Sequence, residues 1–238
     1  PNPKLAKAHD KKIKALRKSP KHLVIYGSPK VGKTTALSTL DNCLIIDLED
    51  GSDMIDAIKL KANNFSELSK IGKAIIDKGK PYKYIAIDTI TKLEEWCEAE
   101  GKKMYQSIAQ GKNFDKDNKG ISVLSLPNGG GYLYLRMAYK KWIDRLSQLA
   151  DHIILVGHLK DKLLTDKKGK EVNSKDLDLT GKIKQITCVN ADAIGYIYRQ
   201  DEATWISFDA KDDIVAGTRC DHLKGQEMLL DWNKIFID

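Results

Sequence analysis

Residues 27–34 read Gly-Ser-Pro-Lys-Val-Gly-Lys-Thr, and no other stretch of the chain limits its possible folds so sharply. A GxxxxGK[ST] loop works only where a strand delivers it and a helix leaves it. Its backbone N–H groups must converge on one anion, and the helix N-terminus adds positive potential there. Both flanks fit. His22-Leu23-Val24-Ile25-Tyr26 is an apolar run of strand length, and Thr35-Ala36-Leu37-Ser38-Thr39-Leu40 suits a helix. In that context Lys33 reaches β- and γ-phosphates and Thr34 offers a hydroxyl to Mg²⁺. The predicted triphosphate-binding set is therefore Gly27, Ser28, Pro29, Lys30, Val31, Gly32, Lys33, Thr34 and Thr35.

The rest of the chain alternates strand and helix signals. Cys43-Leu44-Ile45-Ile46-Asp47-Leu48-Glu49 reads as a strand buried on both faces and ending in acid. A helix is expected from about Glu67 to Lys78, with Ser66 as its cap and Gly79 and Pro81 as its stop. Tyr84-Ile85-Ala86-Ile87-Asp88 follows as a second acid-ended strand, and a helix then runs from about Thr91 to Glu100. Residues 101–131 and about 160–184 read as long polar loops, and between them residues 132–150 are helical and Ile153–Val156 a strand ending at Gly157-His158. From Ala193 onward short strands are expected at Ala193–Arg199, Thr204–Asp209 and Ile214–Ala216. The fold class predicted is α/β, a mainly parallel twisted sheet with helices on both faces and a C-terminal β-rich extension.

With 238 residues, 42% hydrophobic and 31% charged, the chain can bury one sizeable core. Its apolar runs stay far below the roughly 20 residues of a membrane span, so a soluble, cytoplasmic protein without membrane contact is expected. Cys43, Cys97, Cys188 and Cys220 show no paired spacing and read as reduced thiols. The net charge of +7 is local: residues 1–21 hold eight lysines and arginines against Asp10, a surplus equal to that of the entire chain. Leu5, Ala8, Ile13 and Leu16 recur there at helical spacing, which divides the chain into a basic helical segment, 1–21, and a domain, 22–238. The lysine-bearing face of that segment is either merely solvated or a contact for a phosphate backbone.

Hydrolysis of a triphosphate needs a carboxylate near Mg²⁺ and a group that orients the attacking water. Asp88, at a strand end, suits the first task. The residue after it is Thr89, whereas in the AAA+ arrangement a glutamate stands there; the nearest strand-end glutamate is Glu49. Asp117-Asn118-Lys119-Gly120 is not the Asn-Lys-x-Asp guanine-reading motif, so ATP is preferred to GTP.

The succession GSPKVGKT, IIDLEDGSD, YIAIDTITKL, a long loop and helix, and IILVGHLKDK resembles the RecA-like P-loop ATPase core. With GKIKQITCVNADAIGYIYRQ and Gly217-Thr218-Arg219 it is most similar to compact phage-encoded RecA-core ATPases of the single-strand annealing and recombination type, over residues 22–225. The resemblance implies an ATPase in which Glu49 activates water, Thr34 and Asp88 serve Mg²⁺, and His158, in place of the commoner glutamine, senses the γ-phosphate. It also implies a homo-oligomer with the nucleotide at or near the subunit interface, and Arg219 as a cation reaching a neighbour's nucleotide, with Lys211 and Lys224 as rivals. Lys30 stands where the family often has glycine. The longer terminal domains of full recombinases have no counterpart in the sequence.

The same resemblance places the 101–131 and 160–184 loops along single-stranded DNA. Lys102, Lys103, Lys112, Tyr105 and Phe114 in the first, and Lys160, Lys162, Lys167, Lys168 and Lys170 in the second, supply cations and two stacking rings for weak, salt-sensitive binding. Solvated loops account for the composition nearly as well. A small-molecule kinase is the competing enzyme, disfavoured by only five scattered arginines in place of an arginine-rich lid. An annealing module that binds ATP with negligible turnover stays open.

Overall fold

In the computed structural model, the described residues are 17–165, 171–211 and 213–237. The basic segment up to residue 16, and Lys167, Lys168 and Lys170, lie outside them; residues 17–21 carry no helix. Among the described residues ten strands form the sheet: β1 His22–Gly27, β2 Cys43–Asp47, β3 Lys59–Lys61, β4 Tyr84–Asp88, β5 His152–Thr165, β6 Glu171–Leu177, β7 Ala193–Gln200, β8 Ala203–Ser207, β9 Gly217–Thr218 and β10 Glu227–Leu229. The helices are α1 Lys33–Ser38, α2 Phe65–Asp77, α3 Ile90–Gln106, α4 Gly130–Leu146, α5 Gly181–Asn190 and α6 Trp232–Ile235.

The strand order is β10-β8-β7-β1-β5-β4-β2-β3, with β6 added to β5 and β9 to β7. Every pair from β7 across to β3 is parallel, while the pairings of β6, β8, β9 and β10 are antiparallel. The expected mainly parallel sheet with a β-rich C-terminal extension is therefore present. Side-chain alternation splits the core in two. Val24, Tyr26, Leu44, Ile46, Ile85 and Ile87 face one layer, packed by Leu68 of α2, Leu93 of α3, Tyr139 and Trp142 of α4 and Ile183 of α5. Leu23, Ile25, Ile45, Ala86, Ile154 and Val156 face the other, covered by Leu37 of α1 and by Trp232 and Ile235 of α6.

Several sequence expectations are corrected. α2 is capped by Asn64, not Ser66: Asn64 Oδ1 accepts the Glu67 N–H at 3.0 Å while Glu67 Oε2 accepts the Asn63 N–H at 2.8 Å. This reciprocal bonding satisfies the Glu67 N–H, which the first helical turn leaves open, and the Asn63 N–H just before the cap. The 101–131 segment is not one loop, since α3 continues to Gln106 and the remainder folds into short 3₁₀ turns before α4. Nor is 160–184 a loop. Leu159 pairs with Leu177 and Thr165 with Glu171 in a hairpin that extends β5 beyond the sheet, and α5 begins at Gly181. Ile214–Ala216 forms only isolated bridges, and the short strand lies at Gly217–Thr218. Among the described residues no helix is long and apolar enough to cross a membrane.

Candidate nucleotide site

Strand register assembles the site. Gly27 of β1 lies opposite His158 of β5, and Asp88 of β4 lies between Val156 of β5 and Asp47 of β2. Residues widely separated in sequence thus meet at the C-terminal edge of the parallel strands, where connections between strand and helix leave a crevice. The loop from Gly27 to Gly32 then turns over this edge into α1.

Two loop positions admit no ordinary side chain. A Cβ on Gly27 would sit 2.2 Å from the Ile197 carbonyl oxygen, and Gly32 has φ of 95°. Lys30, at φ 62°, takes the same left-handed region with a side chain. That explains why glycine suits the position and implies a local cost of about 1 kcal/mol. Lys33 is 7% exposed, and its Nζ donates to the Gly27 and Ser28 carbonyls at 2.8 and 2.9 Å. Burial lowers its pKa, against the opposing pull of Asp88 and Glu49. The ammonium is held where an arriving phosphate can exchange with two carbonyl partners. Thr34 Oγ1 donates to Asp88 Oδ2 at 2.6 Å.

Those two oxygens fit Mg²⁺, a hard cation that takes one or two protein oxygens and completes its octahedron with phosphate and water. Among the described residues no three His, Cys, Asp or Glu side chains gather as a metal site, so the protein supplies this short oxygen pair rather than a closed cage. Burial raises the Asp88 pKa, Thr34 and Lys33 oppose the rise, and Asp47 and Glu49 add to it. A cation beside Asp88 would relieve this accumulation of negative charge.

Glu49 faces the same crevice. His158 Nε2 lies 2.9 Å from its Oε2 and 3.1 Å from its Oε1, and Thr89 Oγ1 donates to Oε1 at 2.6 Å. Burial alone would raise the Glu49 pKa; the bonds from His158 and Thr89 outweigh it and hold the carboxyl below its usual range. Conversely, the bond to Glu49 raises the His158 pKa. An ionised carboxylate has about four lone-pair directions, so Glu49 retains acceptor capacity for a water. The structure therefore joins Lys33, Thr34, Glu49, Asp88 and His158 into one constellation.

Three residues in it were not singled out from the sequence. Asp47, 3% exposed, accepts the Glu49 N–H at 2.8 Å, the Ser52 N–H at 2.9 Å and the Ser52 hydroxyl at 2.5 Å. Burial pushes its pKa up, but these bonds prevail and lower it. The loop bearing Glu49 is thus clamped by a buried carboxylate, whose signal in the sequence was an aspartate inside an apolar strand. Thr89 also accepts the Lys92 N–H at 3.2 Å, so the cap of α3 orients the glutamate. Thr91 accepts the His158 N–H at 3.4 Å and donates to the Asp178 carbonyl at 3.2 Å.

A family model described as an AAA domain matches residues 19–220. The chain belongs to that AAA-domain family. It is accordingly a P-loop NTPase-type domain, and the match spans every element that builds the crevice. Among curated proteins, none matches the chain. In this AAA domain Glu49 comes from the loop just after β2, while Thr89, which follows Asp88, donates to Glu49.

The remaining predicted residues lie elsewhere. Arg219 adjoins β9, whose Thr218 pairs with Ala193, itself level with Leu23 at the start of β1. That is the end of the AAA domain opposite the loop, about 13 Å along the strand from Gly27. Arg219 donates to the Val189 carbonyl at 2.6 Å and lies 3.9 Å from Asp192. Lys211 pairs with Glu227, and Lys224 with Asp221. Of the predicted DNA contacts, Lys102 pairs with Asp115 and Lys160 with Asp178, while Lys103 and Lys112 are exposed. Tyr105 packs edge-on against Phe114 at 5.4 Å and tilted against Tyr134 at 5.1 Å. The side chain of Lys162 lies outside the described residues.

Proposed function

We propose that the chain is a Mg²⁺-dependent ATPase with a RecA-like core, of the compact phage-encoded annealing and recombination type. It works on single-stranded DNA as a homo-oligomer whose nucleotide lies at or near a subunit interface. The observation that carries the ATPase reading is the pair of contacts on opposite sides of one crevice: Thr34 to Asp88, and Glu49 to His158 and Thr89. Supply of Glu49 from the neighbouring strand β2, with a polar residue ending the parallel part of β5, supports the RecA-like form of that reading.

The chemistry follows from these positions. Lys33 exchanges its two carbonyl partners for β- and γ-phosphate oxygens, and Thr34 and Asp88 hold Mg²⁺. When bound, the ion neutralises charge that develops on the phosphates. Glu49 accepts a proton from the attacking water, and a γ-phosphate oxygen drawing His158 away frees the second side of that carboxylate. Since Glu49 is oriented by Thr89 on the cap of α3 and His158 begins the extended half of the hairpin, phosphate occupancy is felt by both elements that flank the proposed DNA path.

That path is constrained by charge. The cleft between α3, β6 and α5 contains Glu94, Glu95, Glu98, Asp176 and Asp178 against Lys160 and Lys184, and it repels a phosphate backbone. The strand is accordingly assigned to the outer edge carrying Lys103 and Lys112 and to the hairpin. Arg219, on the far end of the sheet, can act only on a neighbour's nucleotide, in a head-to-tail assembly.

The test is phosphate release from ATP with and without single-stranded DNA, on the wild type and on Lys33→Ala. DNA-stimulated turnover in the wild type, lost in Lys33→Ala, is expected. Turnover indifferent to DNA removes the DNA half of the proposal, and absent turnover with intact ATP binding leaves an annealing module.

A further inference from the structure

The catalytic groups account for only one end of a nucleotide. Glu49, Asp88 and His158 occupy the side of the loop toward β5, β4 and β2, so the sugar and base must leave toward β7, the strand on the other side of β1. On that side, against the sheet face that also carries Tyr26, a cavity of about 670 Å³ opens directly beneath loop residues Ser28–Val31. Its size is that of a small-molecule pocket.

The lining has the chemistry of a nucleoside site. Tyr196 and Tyr198 project from the same face of β7 with their rings stacked, centroids 5.6 Å apart and planes at 16°. Lys175 Nζ lies 5.0 Å from the centroid of the Tyr196 ring, which is 6% exposed, whereas Tyr198 is half-buried and lines the cavity. The Tyr198 hydroxyl donates to Glu227 Oε1, and Lys211 Nζ donates to Glu227 Oε2 at 2.9 Å. These bonds fix the tyrosine edge and present a carboxylate within the same pocket. Arg199 bonds the Glu202 carbonyl at 2.8 Å and, like Lys30, is exposed and has no ion pair among the described residues. Lys30, Lys175, Arg199 and Lys211 outnumber Glu227 and Asp213, so the cavity favours an anionic ligand.

We propose that this cavity receives the base and ribose of the nucleotide whose phosphates occupy the loop, a proposal that rests on the nucleotide reading above. The base stacks on Tyr198, Glu227 accepts from an exocyclic amine, Arg199 flanks the ribose, and Lys30, on the loop itself, flanks the α-phosphate. Tyr198 and Arg199 are then affinity-determining residues that act only on ligands carrying a nucleoside. A ligand of bare phosphates engages the loop and ignores the cavity.

The experiment compares Mg·ATP with Mg·tripolyphosphate by titration calorimetry on the full chain, in the wild type, Tyr198→Ala, Tyr198→Phe and Arg199→Ala. Circular dichroism and thermal unfolding establish that each variant is folded. The wild type should bind ATP roughly tenfold more tightly than tripolyphosphate, the order expected for stacking one base on an aromatic ring. Tyr198→Ala should lose most of that advantage while its tripolyphosphate affinity stays within about twofold, and Tyr198→Phe should keep it. Arg199→Ala, at an exposed position, should weaken ATP alone. If the wild type binds both ligands and neither alanine variant changes ATP affinity, the cavity is not the nucleoside site, although the ATPase reading stands. If Tyr198→Ala instead weakens only single-stranded DNA, the cavity belongs to a DNA base and the proposal is overturned. A wild type that binds neither ligand overturns the nucleotide reading itself, and this inference with it.

Discussion

The crevice at the C-terminal ends of β1, β2, β4 and β5 and the polar connections beyond α3 and β5 were both conspicuous in the sequence, yet they are built on different principles. In the crevice each key polar group has a short-range partner: Lys33 its carbonyls, Thr34 its aspartate, Glu49 its histidine and threonine, Asp47 its loop. In the connections charges satisfy one another across the surface, as Lys160 does with Asp178 and Lys119 with Asp117, and exposed lysines lie between. Burial makes the first region exacting, because an unpaired polar group there carries its full desolvation cost. Water makes the second tolerant, because exposed ion pairs contribute little. Substitutions should therefore have sharp, separable effects in the crevice and shallow ones outside it.

The largest effect is expected from Glu49→Gln. Removing the proton acceptor should lower turnover about 10²- to 10³-fold while ATP affinity is retained, checked by phosphate release beside a binding titration. Normal hydrolysis in that variant would remove Glu49 as the base. Asp47→Asn should act next. The amide cannot accept all three bonds from Glu49 and Ser52 as an anion does, so stability should fall by about 1–3 kcal/mol in urea. Turnover should drop with little change in KM, because the loop that aims Glu49 is loosened; an unchanged kcat would mean that the clamp does not aim the glutamate.

A smaller, pH-dependent effect should come from the Glu49–His158 pair. The His158 pKa is raised on folding, so its stabilisation is full below the unfolded value of 6.5 and is lost as pH rises through the higher folded value. The Glu49 pKa is depressed, so its contribution is present above 4.5 and is lost as pH falls through the lower folded value. The stability difference between wild type and His158→Gln should therefore shrink as pH climbs above 6.5. ATP turnover should rise over the same interval as Glu49 is released, and His158→Gln should lack that limb. Parallel pH profiles in the two proteins would show that the contact governs neither property.

Changes on the outer connections should matter least to the fold. Lys103→Ala with Lys112→Ala should leave stability within about 0.5 kcal/mol. Affinity for an oligonucleotide should weaken a few-fold, and its slope against salt should become shallower by about one for each lysine that no longer meets a phosphate. A loss of folding in that double variant would erase the contrast between the two regions.

The site was legible in the sequence to the extent that its chemistry is tied to local pattern. The glycines and Lys33-Thr34 form a contiguous motif, and Glu49, Asp88 and His158 each end an apolar run, which marks the C-terminal edge of a parallel sheet. Thr89 and Asp47 were less legible because their importance lies in what they bond: a threonine after a strand and an aspartate within one are common. The β5–β6 hairpin was read as a loop because its lysine- and aspartate-rich residues lack the one-sided apolar alternation of a strand packed on a core. Its pairing rests on backbone register instead.

The sequence by itself determined the phosphate loop, the alternation of strand and helix and the carboxylates that end strands, since these depend on contacts between near neighbours and on periods of two and 3.6 residues. Only the tertiary structure decided which strand ends meet, that Glu49 is shared by His158 and Thr89, and that Arg219 sits at the opposite end of the sheet. It alone placed a tyrosine-lined cavity beneath the loop. Those outcomes depend on parallel register between residues far apart in the chain and on which face of each strand is buried. A one-residue slip would turn Tyr198 to the other side of the sheet without altering any local pattern.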